Sequence, residues 1–183
     1  MAKFVLSYRT QDIVGRFCRE LSLGKDVRKD SLELLVKGHE LLESAQKRNA
    51  VVAGSVYGSA ILNNMPRSIA AVGRVAEVAG STVLARYYDF VDLGLMDAPM
   101  PNFYVGIYCD VLKVPGKVQR DAKRIVKENL QDLRAPHKWA PGIAAGAVYA
   151  AAQSHKVKLT QRGIAGVAGV NYATVSHWYS KLK

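Results

Sequence analysis

Residues 159–183 read LTQRGIAGVAGVNYATVSHWYSKLK, and this stretch decides the fold of the whole chain. Thr160 is a good N-cap, because its hydroxyl can accept a bond from an otherwise unpaired helical N–H. Ile164, Ala165, Val167 and Ala168 then form one apolar face at helical spacing. Ala165 is small where two helices must cross closely. Four residues on, Gly169 stands where the chain must turn through a conformation that other residues tolerate poorly. Val170 caps the core, Asn171 starts a second helix, and Val175 and Tyr179 bury its inner face. A small residue, a glycine four later and an apolar residue six after that is helix-turn-helix spacing, here covering 160–182. At this point the alternative is an ordinary αα-hairpin in a helical core.

The pattern occurs once before in the chain. Val14-Gly15-Arg16-Phe17-Cys18-Arg19-Glu20-Leu21 aligns with Val105-Gly106-Ile107-Tyr108-Cys109-Asp110-Val111-Leu112 at an offset of 91. Val27 meets Val118 and Asp30 meets Asp121. After one added residue the offset becomes 92, and Ala53-Gly54-Ser55-Val56-Tyr57 meets Ala145-Gly146-Ala147-Val148-Tyr149. Ser68 then meets Thr160, Val72 meets Ile164, Val75 meets Val167, Ala76 meets Ala168 and Val78 meets Val170. Thr82-Val83 meets Thr174-Val175, and Tyr87 meets Tyr179. A register held over that length with one single-residue shift marks a duplicated domain.

Each copy reads as about five helices. They are expected near 4–21, 27–46, 50–62, 68–77 and 81–91, and near 101–113, 116–131, 140–153, 160–167 and 171–182. Breakers stand at the joints: Gly24, Met65-Pro66, Gly80, Pro115-Gly116, Pro136 and Pro141. The stretch from Gly94 to Pro101 reads as the linker, so the expected domains are 1–95 and 96–183. The third helix of each copy is rich in Ala and Gly, as helices are that sit at the centre of a bundle. Strands find no support, and the expected class is all-α.

With 183 residues, 49% of them hydrophobic, the chain can bury a real core. No run of eighteen apolar residues exists and no signal-peptide pattern opens the chain, so no membrane is expected as a partner. Twenty-six Lys and Arg against fifteen Asp and Glu give a formal charge of +11. That excess favours a polyanion, since each neutralised phosphate releases counterions. Cys18 and Cys109 lie far apart with no CxxC pairing, which fits packing in a reducing compartment.

Two tandem five-helix repeats, the Pro-Gly-Ile-Ala-Ala entry at 141–145 and the TQ…IA…VAGV…TV…Y pattern at 160–179 resemble the cyclin-like core of transcription factor IIB. The archaeal counterpart, transcription factor B, is the closer likeness. The resemblance runs from Val14 to Leu182 and is most specific in the second repeat. It implies a factor that grips the complex of TATA-binding protein with bent promoter DNA. The second-repeat helix-turn-helix would read an element upstream of the TATA box, the first repeat would lie downstream, and the pair would help position RNA polymerase. It places the protein in the cytoplasm of an archaeal cell or archaeal-virus host, or in the nucleus if eukaryotic. The family's zinc ribbon has no match in these residues, so weak polymerase recruitment is expected. The family's usual Arg in the recognition helix is Ser176 here, so base preference does not carry over.

Within the second helix, Asn171, Tyr172, Ala173, Thr174, Ser176, His177 and Lys181 are the outward candidates. N-terminal residues of such a helix meet base edges, which favours Tyr172, Ala173, Thr174 and Ser176 for direct readout. Ala173 and the Thr174 methyl suit a thymine methyl, and Ser176 suits either donor or acceptor. Trp178 suits core packing or stacking on a sugar. Thr160, Gln161 and Arg162, at the start of the preceding helix, suit a phosphate or plain capping. Lys156 and Lys158 lie in a basic loop beside them. Lys117, Arg120, Lys123, Arg124 and Lys127 line one helix face and suit DNA, an acidic partner or solvent. In the first copy Lys25, Arg28, Lys29 and Lys37 do so more weakly, and Lys47, Arg48 and Arg67 are further contacts for phosphate or partner.

Enzyme chemistry finds no support. His39, His137, His155 and His177 are scattered, with no HExxH and no phosphate-cradling glycine loop, so neither catalytic residues nor a cofactor nor a metal is expected. Two other readings stay open: a self-sufficient helix-turn-helix regulator of plasmid or viral kind, and a cyclin-like protein scaffold.

Overall fold

The computed structural model describes residues 4–43, 48–130 and 139–183, and every regular element among them is helical. Lys47, Pro136 and His137 lie outside the described residues. Two compact units form, Met1–Asp97 and Ala98–Lys183. The first holds α1 (Tyr8–Glu20), α2 (Lys25–Lys37), α3 (His39–Glu43), α4 (Arg48–Leu62), α5 (Ile69–Ala76) and α6 (Gly80–Asp92). The second holds α7 (Pro101–Leu112), α8 (Gly116–Leu130), α9 (Ala140–Ser154), α10 (Gln161–Ala168) and α11 (Tyr172–Leu182).

In each unit the Ala- and Gly-rich helix is the hub. α1, α2, α5 and α6 pack on α4, and α7, α8, α10 and α11 pack on α9. Every α4 residue from Ala50 to Ile61 is buried. A helix apolar on all sides has no solvent face to present, so the others wrap around it. Their helical cores repeat too: Val14 and Val105, Val27 and Val118, and Ile164 and its counterpart Val72 are all fully buried.

The duplication is visible in backbone geometry. A methyl group on Gly54 would lie 2.8 Å from the carbonyl carbon of Arg86 and from the Tyr87 amide nitrogen. On Gly146, ninety-two residues later, it would lie 2.9 Å from the carbonyl carbon of Trp178 and 3.0 Å from the Tyr179 nitrogen. α4 with α6 and α9 with α11 therefore cross at the same point, backbone against backbone. Non-glycine residues with positive φ fall at matching places as well: Ser22 with Lys113, and Asn64 with Lys156. Glu77 (φ 57°) matches Gly169 (φ 66°). The caps repeat with them. Ser68 accepts a bond from Ala71 N, and Thr160 accepts one from Gly163 N.

One polar tie is also conserved in place but not in chemistry. Asn63 donates to Asp30 across 2.7 Å, linking the end of α4 to α2. At the matching positions His155 Nε2 lies 2.6 Å from Asp121 Oδ2.

Some helix limits depart from the sequence expectation. The segment expected to be one helix over 27–46 breaks at Gly38, which caps α2 with its N–H donating to Leu34 O and leaves no room for a side chain against Phe90 Cε1, 2.9 Å away. The short α3 follows the break. α1 starts at Tyr8 rather than residue 4, since Ser7 accepts a bond from Thr10 N and caps it.

Glu77 holds a left-handed conformation without glycine's freedom, at a cost of about 1 kcal/mol. Glu77→Gly is expected to raise the denaturation midpoint of the first unit by a corresponding amount. An unchanged or lower midpoint in urea would show that the Glu side chain offsets the strain.

Candidate nucleic-acid interface

α10 and α11 are built to hold an outer face in place. α10 begins at Thr160, whose Oγ1 accepts from Gly163 N at 3.0 Å. It ends at Gly169 in the left-handed region, where Val170 N donates back to Ala165 O at 3.1 Å. Asn171 then caps α11, its Oδ1 accepting from Ala173 N at 3.0 Å. Ile164, Ala165 and Ala168 bury one side of α10; Val175, Trp178 and Leu182 bury one side of α11. Each large apolar side chain so buried contributes about 1.5–3 kcal/mol.

The opposite side carries the expected contact residues. Arg162, Asn171, Tyr172, Ala173, His177 and Lys181 are exposed, as are Thr160, Lys156 and Lys158 in or before α10. Gln161 and Ser176 are half-buried. Arg162 and Tyr172, ten residues apart, are brought together: the guanidinium carbon stands 5.8 Å from the ring centroid. Nothing in their sequence separation pairs them, because only the apposition of the two helix starts joins them.

Two expectations for this face are corrected or resolved. Thr174 is half-buried with its methyl turned inward, and a methyl group on Gly142 would lie 2.8 Å from Thr174 Cγ2. That methyl packs on α9 and does not point toward a base, which leaves Ala173 as the exposed methyl. Trp178 is 3% exposed and packs over Gly142 and Gly146, so it serves the core. Trp139 (5.7 Å) and His177 (5.3 Å) flank its ring, and Lys181 Nζ lies 5.4 Å above it.

On α8 the cations divide. Lys117, Arg120, Lys123, Arg124 and Lys127 are all exposed. Arg124 is engaged by Glu128 at 3.2 Å and by Asp121 at 3.7 Å. The other four form no ion pair among the described residues, and they make a continuous positive stripe. Buried Val118, Ala122 and Val126 fix the opposite side of the helix against α9.

Arg67 is corrected. Its Nε donates to Leu21 O at 2.8 Å, one terminal nitrogen to Ser22 O at 2.9 Å, and the other to Met65 O and Pro66 O. Four carbonyls take four of its five N–H donors, so it ties the end of α1 to the loop before α5 and does not stand as a free cation. Arg48 is exposed at the first position of α4.

The His155–Asp121 tie sits beside the Lys156–Lys158 loop. The hydrogen bond from His155, aided by the charge of Arg124, holds the Asp121 carboxyl below the usual carboxylate range. A group whose pKa falls on folding stabilises above its unfolded pKa and loses that contribution as pH drops through the folded one. The loss therefore develops below about pH 4. His155→Ala is expected to flatten this acid limb in pH-dependent urea unfolding. Superimposable limbs would show that the tie contributes nothing. The two thiols behave as packing groups: burial raises both, Cys109 to about 11.

Among the described residues no cluster of three potential metal ligands exists, and no helix is long and apolar enough to cross a membrane.

Comparison with known proteins follows this geometry closely. Residues 7–93 and 96–183 each match the transcription factor TFIIB repeat. The chain belongs to the TFIIB repeat family. Members of that family are transcription factors, not enzymes. Transcription initiation factor IIB of Archaeoglobus fulgidus is 29% identical over 173 residues, covering 92% of this chain and 53% of that protein. Transcription initiation factor IIB 2 of Thermococcus kodakarensis is 28% identical, covering 85% of this chain and 49% of the relative. Transcription initiation factor IIB 1 of Thermoplasma volcanium is 27% identical, covering 97% and 57%. The chain thus spans about half the length of these curated TFIIB relatives.

Proposed function

We propose that this TFIIB-repeat protein acts in transcription initiation by binding promoter DNA already bent by TATA-binding protein. α10 and α11 act as a helix-turn-helix beside the TATA box, with the start of α11 toward the bases. The Lys156–Lys158 loop and the α8 stripe follow the phosphate backbone, and the assembled pair helps to position RNA polymerase. Work of this kind takes place wherever the promoter is, in an archaeal cytoplasm or a eukaryotic nucleus.

The observation that carries this reading is a difference between the copies. α5–α6 and α10–α11 share the cap of their first helix, the turn and the crossing point, yet their outward residues diverge. Ala70, Gly80, Ala85 and Asp89 of the first copy become Arg162, Tyr172, His177 and Lys181 in the second. Since the first copy folds without them, those four are not required by the scaffold. At these four positions neutral or acidic residues give way to basic and aromatic ones, while the exposed Arg74 of the first copy gives way to Gly166, and DNA is the polyanion such a basic and aromatic group suits.

A gel shift on a TATA-containing duplex, with and without TATA-binding protein, tests the proposal. A shift that requires TATA-binding protein and weakens in Ser176→Glu is expected. Tight binding to naked duplex, indifferent to TATA-binding protein, would sink it and favour a self-sufficient regulator, which the +11 charge also suits. No shift in either lane would leave a protein scaffold.

A further inference from the structure

We infer that Arg162, held over the Tyr172 ring, is the residue that fixes this protein's base preference, and that it reads a guanine in the major groove. This rests on the helix-turn-helix reading above. The start of α11 is where such a unit meets base edges, and apart from Tyr172 the side chains favoured there for readout are short. Ala173 has no polar atom, Ser176 has one hydroxyl, and the Thr174 methyl faces α9. None supplies the bidentate fork that discriminates guanine through O6 and N7.

Arg162 does. Its guanidinium lies 5.8 Å from the centroid of Tyr172, the first residue of α11. It forms no ion pair among the described residues, and both side chains are exposed. Stacking on an aromatic face uses the flat side of a guanidinium and leaves its in-plane N–H edge free. A guanidinium seated against the ring in this way can present that edge to a base. A phosphate needs no such plane, and Lys156 and Lys158 already stand in the adjoining loop. The fold does not call for the pair, because the first copy has Ala70 and Gly80 at these positions on an equivalent helix pair.

The test is a competition binding series, run with TATA-binding protein on promoter duplexes in which each upstream base pair is varied in turn. Wild type, Arg162→Ala, Arg162→Lys, Tyr172→Ala and Tyr172→Phe are compared at several salt concentrations. Circular dichroism verifies that each variant is folded. Wild type is expected to prefer guanine at one position by about tenfold or more, the range of a good bidentate contact. Arg162→Ala and Arg162→Lys should both lose that preference, Tyr172→Ala most of it, and Tyr172→Phe little. Equal weakening on all sequences, a salt slope lower by about one in Arg162→Ala, and rescue by Lys would overturn the inference in favour of a phosphate contact. A wild-type preference untouched by Arg162→Ala would overturn it too. The series is repeated on naked duplex. An Arg162-dependent guanine preference found only there would support the pair while refuting the TATA-binding-protein reading.

Discussion

Gly146→Ala is expected to cost about 3 kcal/mol, near the upper end of overpacking penalties, because the added carbon meets backbone. It would lie 2.5 Å from Trp178 Cβ, 2.9 Å from the Trp178 carbonyl carbon and 3.0 Å from Tyr179 N. α11 can retreat only by lifting Val175, Trp178 and Leu182 out of their seats, and α9 is buried on every side. Both tryptophans of the chain, Trp139 and Trp178, belong to the second unit, so their fluorescence follows its unfolding. Gly166→Ala is the matched control. Nothing lies within 4 Å of a methyl group there, and an exposed helical glycine replaced by alanine should gain about 0.5–1 kcal/mol. If the two variants unfolded at the same urea concentration, the crossing would be looser than described.

Trp178→Ala is expected to lose about 3–5 kcal/mol, the usual cost of emptying a buried aromatic site. Its indole fills the space above Gly142, and alanine would leave that space bare. Unfolding followed by circular dichroism measures the loss. A cost below about 1 kcal/mol would place the ring at the surface after all, since exposed substitutions fall within that range. The first copy shows how the same seat is held otherwise. At the matching position Arg86 pairs with Asp89 at 2.8 Å, where the second copy sets Lys181 over Trp178. An ion pair and a cation–aromatic contact thus occupy corresponding places, and Trp178→Arg would bring two cations together.

Much of this was legible in the residues themselves. Register between Val14-Gly15 and Val105-Gly106, and between Ala53-Gly54 and Ala145-Gly146, exposed the duplication. The Ala-Gly richness of α9 marked it as the hub. Such features are local or periodic, which is why one strand of text carries them. What stayed hidden depends on which distant side chain arrives at a point. Gly38 has to lack a side chain because Phe90, some fifty residues on, fills its space. Arg67 looks like a free cation until four carbonyls from two loops converge on it. Thr174 looks outward by spacing alone, but Gly142 opens a recess that its methyl enters. The Arg162–Tyr172 stack needs the starts of α10 and α11 to meet. The shared left-handed residue also concealed itself, since Gly169 announces the turn in one copy and Glu77 does not in the other.

The glycine crossing on α9 separates holding from reading. The large side chains that dock α11 are Val175, Trp178 and Leu182, and exposed Tyr172 and Ala173 stand apart from them. Those two positions can change freely, whereas Asn171 caps the helix and His177 and Lys181 lie against Trp178. A helix pair arranged this way can change its outer surface at such positions at little cost in stability. The two copies then resemble one socket issued twice, of which only the second has been fitted with a basic and aromatic head.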